Sequence, residues 1–399
     1  MMVSDIERIE VIRGPGGTVW GANAVNGVIN IITKSAAETK GTSVELSAGN
    51  FERDSGAIRY GGSVGAVDYR VYSQWSDRAA GLTDARTPAN DSWNALTTGV
   101  RADWSRGPDS IMAEGSFMDT QARPGWTKMD AFFAPSSNDG VSDLDEATAL
   151  GRWTHHGSNG SQFQVQAFRT YAHRDESTLW QLERTGDVDV QYQTKIGSRH
   201  EIVTGGGYRD SDLETVKSFT TDIPSDETAV FNAFVQDEVS VNRAVKVTLG
   251  SKVEHQTFAG WGLLPSARIM WNVDPSHQRA WASVSRARRT PGAAYRGLQI
   301  YAGAIPGENG VPIVFRTVGN PDARPEQLLE LEGGYRTGGL RSAGPTIAVA
   351  RGDAASPAPL RAPRAAAARG TRLRRARCAR LSRLCGCVET STQFLFRAA

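Results

Sequence analysis

From Gly41 to about Thr337 the chain alternates apolar and polar residues with a period of two. The segment "VFNAFVQDEVSV" shows the pattern. Phe231, Ala233, Val235, Val239 and Val241 fall on one face, and Asn232, Gln236, Glu238 and Ser240 on the other, because successive strand side chains point to opposite sides. The same reading applies to "TSVELSAG", "SGAIRYGG", "DYRVYSQWSD", "WNALTTGVRADW", "QFQVQAFRTYAHR", "VKVTLGSKVEH", "SARIMWNV", "RAWASVSRA" and "LLELEGGYR". The pattern predicts about fourteen strands, several of them near the roughly 9–11 residues that cross a bilayer.

Connection lengths sharpen the picture. Counted from the first of these strands, the turns after even strands are short: "GSVGAV", "SRGPDS", "HGSNGS", "KIGSRH", "VNRAVK" and "VDPSHQ". Those after most odd strands are longer, with loops expected from Asp77 to Ser92, Asp119 to Glu146, Arg209 to Glu227 and Arg289 to Gln327. Short turns at one end and long loops at the other are the signature of an outer-membrane barrel. A soluble β-sandwich or propeller has no reason to segregate loop length in this way.

Mean hydropathy of −0.38 and the lack of a long apolar run exclude a membrane-spanning helix, but an alternating barrel never scores as hydropathic. Net charge is +2, unevenly spread: from Arg351 to Ala399 eleven Arg face only Asp353 and Glu389, so the first 350 residues carry −7. All three cysteines, Cys378, Cys385 and Cys387, lie in that segment, which leaves the body without disulfides or thiolate metal sites. Residues 338–399 show no strand period. They read either as a basic arm for nucleic acid or a membrane surface, or as GC-rich DNA translated in a shifted frame; the second reading is favoured, and no nucleic-acid partner is expected. The start "MMVSDIERIE" shows no basic region followed by an apolar run, so no secretory signal is expected there.

The first 36 residues differ from the rest. "IERIEVIRGPGGTVWGANAVNGVINIITK" resembles the second half of the plug domain of TonB-dependent outer-membrane receptors, and its ordered Gly, Pro and Asn positions are more specific than a lone glycine motif. Downstream, "AFVQDEVSV", "VTLGSKVEH", "PSARIMW", "WASVSRARRTP", "GNPDARPE" and "LEGGYR" follow in the order that family shows, so the likeness covers about residues 3–337. Its implications are an all-β fold, a transmembrane antiparallel β-barrel left incomplete at about fourteen strands against about 22 in the family, and a partial N-terminal plug. The expected units are residues 1–36 (second half of the plug), 41–337 (barrel) and 338–399 (tail). In the plug, Ile6 to Arg13 forms a strand, Gly14, Pro15, Gly16 and Gly17 force a turn, and Val28 to Thr33 pairs back as a buried strand. Gly21 and Gly27 permit close backbone approach, and Asn23 and Asn26 bond turn backbone. The resemblance suggests charge pairing between plug and barrel through Arg13 and Arg8, with Glu238 and Glu254 as barrel partners.

The implied function is energised uptake of a scarce nutrient, most often a ferric siderophore, across the bacterial outer membrane. The TonB–ExbB–ExbD complex and outer-membrane lipid are the implied partners, with no cofactor and no bond chemistry, hence no enzyme. A role in signalling, or as a colicin or phage receptor, stays open, as does a soluble β-repeat binding protein. The signal peptide, the TonB-contacting segment, the first half of the plug and about eight strands are missing from the pattern, so the chain is expected to be a fragment that does not transport alone. Other chemistry finds little support. His155 and His156 are adjacent and point to opposite faces of a strand. The glycine-rich turn lacks the phosphate-loop pattern, no nucleophile–base set is recognisable, and "NDGVSDLDE" lacks calcium-loop spacing. The loop from "RARRTP" to "GNPD" holds no histidine, against a haem ligand. Trp126, Phe132, Phe133, Tyr295, Arg296, Tyr301 and Phe315 are loop residues that either face a large anionic ligand or pack on their neighbours.

Overall fold

The computed structural model describes residues 2–14, 16–123, 125, 127–129, 135–137, 140–274, 278–307 and 311–337, with a two-residue strand pair at 349–350 and 394–395. Pro15, the Arg13 side chain, Trp126, Phe132, Phe133 and nearly all of 338–399 lie outside the described residues.

A single antiparallel sheet of fourteen strands forms the body, each strand pairing with its neighbours in sequence order. In that order the strands are Gly41–Ala48, Glu52–Val64, Val67–Arg78, Trp93–Arg106, Asp109–Ala122, Ser142–His156, Gln162–Glu176, Leu179–Ile196, His200–Val216, Asp226–Ser240, Val245–Gln256, Gly260–Asp274, Gln278–Arg289 and Glu326–Thr337. Among the described residues the first and last are its open edges. Connections after even strands are all tight, none longer than five residues, and the long ones, 79–92, 123–141, 217–225 and 290–325, all follow odd strands.

Two details depart from the sequence pattern. The ninth strand runs on to Val216, through residues expected to be loop, because it stays in register with the eighth as far as Val216 opposite Trp180. These two strands, of 18 and 17 residues, outlast a membrane crossing, so their upper ends need no apolar face and "SDLETV" carries none. For the same reason the turn between the seventh and eighth strands, 177–178, is short although it follows an odd strand.

The two faces of the sheet differ as a membrane wall requires. Val71, Val100, Ile111, Val235, Leu249, Leu263 and Ile269 are exposed on the outer face, while Arg70, Arg101, Lys252 and Glu254 alternate with them on the inner one. Outward aromatics fall in two bands. Trp153, Tyr192, Trp271 and Tyr335 lie near the short turns, and Trp75, Phe117, Tyr171, Tyr208 and Phe231 lie farther along the strands. Paired girdles of this kind mark the two interfaces of a bilayer. Trp153 donates its indole N–H to Asp109 Oδ1 at 3.1 Å, so its polar edge stays satisfied at the turn.

Against the inner face sits a separate hairpin, Ile6–Arg13 antiparallel to Gly27–Thr33, with Ile9 opposite Ile31 and Val11 opposite Ile29. The returning strand pairs but is not buried: all four of these side chains are exposed, because among the described residues no element covers that face of the two-stranded sheet.

Placing a cation on the outer face should cost far more than placing one on the inner face. Leu249→Arg is expected to lower stability in lipid vesicles by about 2–4 kcal/mol, whereas Thr248→Arg, on the next residue and the opposite face, should change it by less than about 1 kcal/mol. Urea unfolding midpoints in vesicles measure both.

Candidate functional site

The hairpin is joined to the wall at two places, and both are built from polar groups. At the first, Asp5 is 1% exposed and ion-paired with both Arg59 and Arg70, the latter at 3.5 Å and itself only 2% exposed. Arg70 also donates to the Lys34 carbonyl at 2.8 Å, and Lys34 Nζ reaches back to the Ser4 carbonyl at 2.8 Å. Arg101, held by Asp103 at 2.9 Å, donates to Thr33 Oγ1 at 2.7 Å, and Asp103 Oδ2 accepts the Ala36 N–H at 2.6 Å. The chain then leaves through a 3-10 turn, Ala36–Thr39, capped reciprocally by Ser35 and Glu38. It passes so close to the wall that a Cβ on Gly61 would stand 2.3 Å from the Thr39 carbonyl oxygen.

At the second place, a helical turn, Gly17–Trp20, packs on the eleventh to thirteenth strands. Thr18 Oγ1 donates to the Leu264 carbonyl at 3.1 Å and lies 2.8 Å from Ser266 Oγ. Lys252 Nζ donates to the Val19 carbonyl at 3.1 Å, answering an orphan acceptor at the end of the turn, and Glu254 Oε2 accepts the Ala22 N–H at 3.1 Å. Lys252 and Glu254 stand two residues apart on one strand and so address the same loop from the same face. Gly21 lies between them at φ +84°, where a Cβ would approach Glu254 Oε2 to 3.0 Å. Asn23, also at positive φ, donates its N–H to the Arg288 carbonyl at 2.8 Å and accepts from the Thr290 N–H at 2.9 Å.

Of the residues expected to join hairpin and wall, Glu254 does so, by accepting a backbone N–H of the hairpin loop, while the Arg13 side chain lies outside the described residues. Arg8 does not face the wall. It pairs with Glu7 at 2.6 Å and Glu10 at 2.8 Å, because residues 8 and 10 share a strand face. That pairing raises the Arg8 guanidinium pKa, and holds the Glu10 carboxyl, bonded also by Asn30, below the usual range. Glu238 is engaged by Lys246 on the neighbouring strand at 2.5 Å. Gly14 sits at φ +78°, 3.1 Å from Glu330 Oε1 by its would-be Cβ, Gly27 opens the returning strand opposite Arg13, and Asn26 is exposed in the turn. Asp5, Thr18, Arg70 and Lys252 were missed. The "SKVEH" spacing, two charges on one inner face, is the signal that could have found Lys252.

At the long-loop end, Thr221–Asp222, Gln299–Pro306 and Pro312–Val318 form a small sheet that ties two loops together. Arg296 is ion-paired with Asp226 and stacked on Phe258 at 4.0 Å, so its charge is already matched. Tyr301 stacks with Phe219 at 6.3 Å, and Arg289 lies over the Tyr295 ring at 5.7 Å, while Phe315 is exposed. His155 bonds Asp109 at 2.8 Å, and among the described residues no cluster of metal-ligating side chains occurs.

The profile described as "TonB dependent receptor-like, beta-barrel" matches residues 47–349. The chain belongs to the TonB-dependent receptor family. Its sequence is 26% identical over 349 residues to the iron-regulated outer membrane virulence protein of Vibrio cholerae, covering 84% of this chain and 51% of that protein. It is 52% identical over 48 residues to the vitamin B12 transporter BtuB of Vibrio vulnificus, 12% of this chain and 8% of that one. The chain thus spans about half the length of this Vibrio cholerae relative. Among solved structures it is similar to the siderophore receptor PirA from Pseudomonas aeruginosa, with a TM-score of 0.63 at 16% identity over 84% of this chain and 60% of that one. The ferric enterobactin receptor PfeA from the same organism gives a TM-score of 0.65 at 17% identity over 84% and 56%. At these identities the structural likeness speaks for the fold alone, a β-barrel of the kind this family shares.

Asp5→Asn removes the carboxylate from two arginines, one of them fully buried. The variant should lose about 3–5 kcal/mol of hairpin attachment and make residues 2–36 cleavable by protease in the folded receptor, whereas Glu7→Gln, an exposed change on the same unit, should leave cleavage unchanged. Equal protection of both variants would contradict the anchoring role.

Proposed function

We propose that the receptor to which this chain contributes takes up a ferric siderophore across the outer membrane, energised by the TonB–ExbB–ExbD complex. In this reading residues 2–36 act as the second half of a plug and residues 41–337 as part of the barrel. The observation that carries it is the seating of a folded hairpin on a charged inner wall by hydrogen bonds and buried ion pairs. Such a unit blocks a wide lumen, yet it is held by polar contacts that water can replace when the plug moves. The iron-regulated relative supports iron as the cargo.

The fourteen-stranded sheet has open edges at Gly41–Ala48 and Glu326–Thr337, and unpaired backbone in lipid costs several kcal/mol per group. Uptake in this reading therefore requires further strands that close the barrel, and the 399 residues alone are expected not to transport. The match to BtuB, short but at 52% identity, gives cobalamin as the second reading.

The test is uptake by a host stripped of its own siderophore and cobalamin receptors that carries the complete gene. Radioiron delivered by catecholate or hydroxamate chelates should accumulate, and deletion of tonB should abolish it. Accumulation of radiocobalt-labelled cobalamin without radioiron would overturn the iron assignment.

A further inference from the structure

Behind the helical turn Gly17–Trp20 lies a cavity of about 520 Å³ on the inner face of the sheet. On its wall, Asp187 and Asp189 stand two residues apart on the eighth strand and so face the same way. Asp189 is directly opposite Gly207, and Gly207 is opposite Asn232. A Cβ at Gly207 would lie 2.4 Å from Asp189 Oδ1, so the glycine is what lets this carboxylate lean across the ninth strand toward Asn232.

The polar groups around this gap are incompletely satisfied, and all in one sense. Asp187 accepts from Arg209 Nε at 2.8 Å through Oδ2, but its Oδ1 is buried without a partner on a side chain only 6% exposed. Asn232 donates its amide to the Gly207 carbonyl at 3.3 Å and leaves its Oδ1 buried and unpartnered. Gln256, farther along the cavity and 8% exposed, likewise has an orphan Oε1. Every one of these atoms is an acceptor, so what they lack is a donor. Ion pairing is uneven as well: Asp187 is held by Arg209 and Lys252 Nζ donates to the Val19 carbonyl, while Asp189 has no ion-pair partner within 4 Å among the described residues. A hard divalent cation would need roughly 6–8 oxygens, and no group of three metal-ligating side chains exists among the described residues.

We propose that this lumenal pocket binds a cationic nitrogen, an ammonium or guanidinium group, between Asp187, Asp189 and Asn232. The proposal rests on the lumenal reading of this face and adds to it a station of defined chemistry on the path past the plug. The group belongs to a dissolved solute moving through the lumen.

The experiment uses the complete receptor in outer-membrane vesicles, with Cys378, Cys385 and Cys387 changed to Ser and Asn232→Cys introduced. Its modification rates by a trimethylammonium and by a sulfonate methanethiosulfonate reagent are compared. The cationic reagent should react faster by about tenfold or more, and the preference should fall to within about threefold in Asp187→Asn/Asp189→Asn. Gly207→Ala, which displaces the Asp189 carboxylate without removing its charge, should reduce the preference as well, and it keeps the test intact if the double variant fails to insert. Slower modification in millimolar methylguanidinium supports a dissolved source. A carboxylate-dependent preference that methylguanidinium does not slow overturns binding in the pocket and leaves only a general attraction of positive charge to the two carboxylates. Equal rates with both reagents overturn the site, and no reaction with either overturns the lumenal reading together with it.

Discussion

A bilayer offers no water to the peptide group, and this constraint organises the whole molecule. Each backbone N–H and C=O inside the hydrocarbon must find a partner within the protein, and a meander of long antiparallel strands supplies one to nearly every residue of the wall. The alternation of side chains follows. Leu249 and Leu263 are directed at lipid because Lys252, Glu254 and Leu264 occupy the opposite parity on the same two strands. Short turns lie at one end, and at the other the strands are free to run past the membrane into polar hairpins, as the eighth and ninth do.

A wall that is apolar outside is left with its polar residues inside, and the hairpin is fitted to them. Its two anchorages lie far apart on the sheet: Asp5, Thr33, Lys34 and Ala36 on the second to fourth strands, Thr18 to Asn23 on the eleventh to thirteenth. The unit therefore bridges the inner surface. Burying Arg70 and Asp5 is costly for each alone and tolerable together, because each neutralises the other and Arg70 also satisfies a backbone carbonyl. Glycines serve the same fit. Gly61 admits the exit turn, Gly21 the loop between Lys252 and Glu254, and Gly207 the carboxylate of Asp189.

The strands were legible because each crossing repeats a period-two pattern, and the loop ends because Gly, Pro, Asn and Ser cluster there. Misplacement occurred where both faces are wet and alternation carries no information, as between Arg209 and Val216. The site was less legible. Glu254 could be singled out from its strand and face, but its partner proved to be the Ala22 N–H, which no side-chain pattern encodes. Arg8 and Glu238 were diverted by nearer charges, Glu10 and Lys246. Asp5 escaped notice because its partners sit 54 and 65 positions away, a proximity that only the folded sheet creates.

Disulfide trapping tests most directly whether the hairpin is seated on the inner wall. Thr18 Oγ1 and Ser266 Oγ lie 2.8 Å apart, joining the helical turn to the twelfth strand. With the three native cysteines replaced, Thr18→Cys/Ser266→Cys in the complete, membrane-inserted receptor should oxidise to a single internally crosslinked species with altered gel mobility, and each single variant should not. Failure of the pair to crosslink in properly inserted protein would contradict that seating.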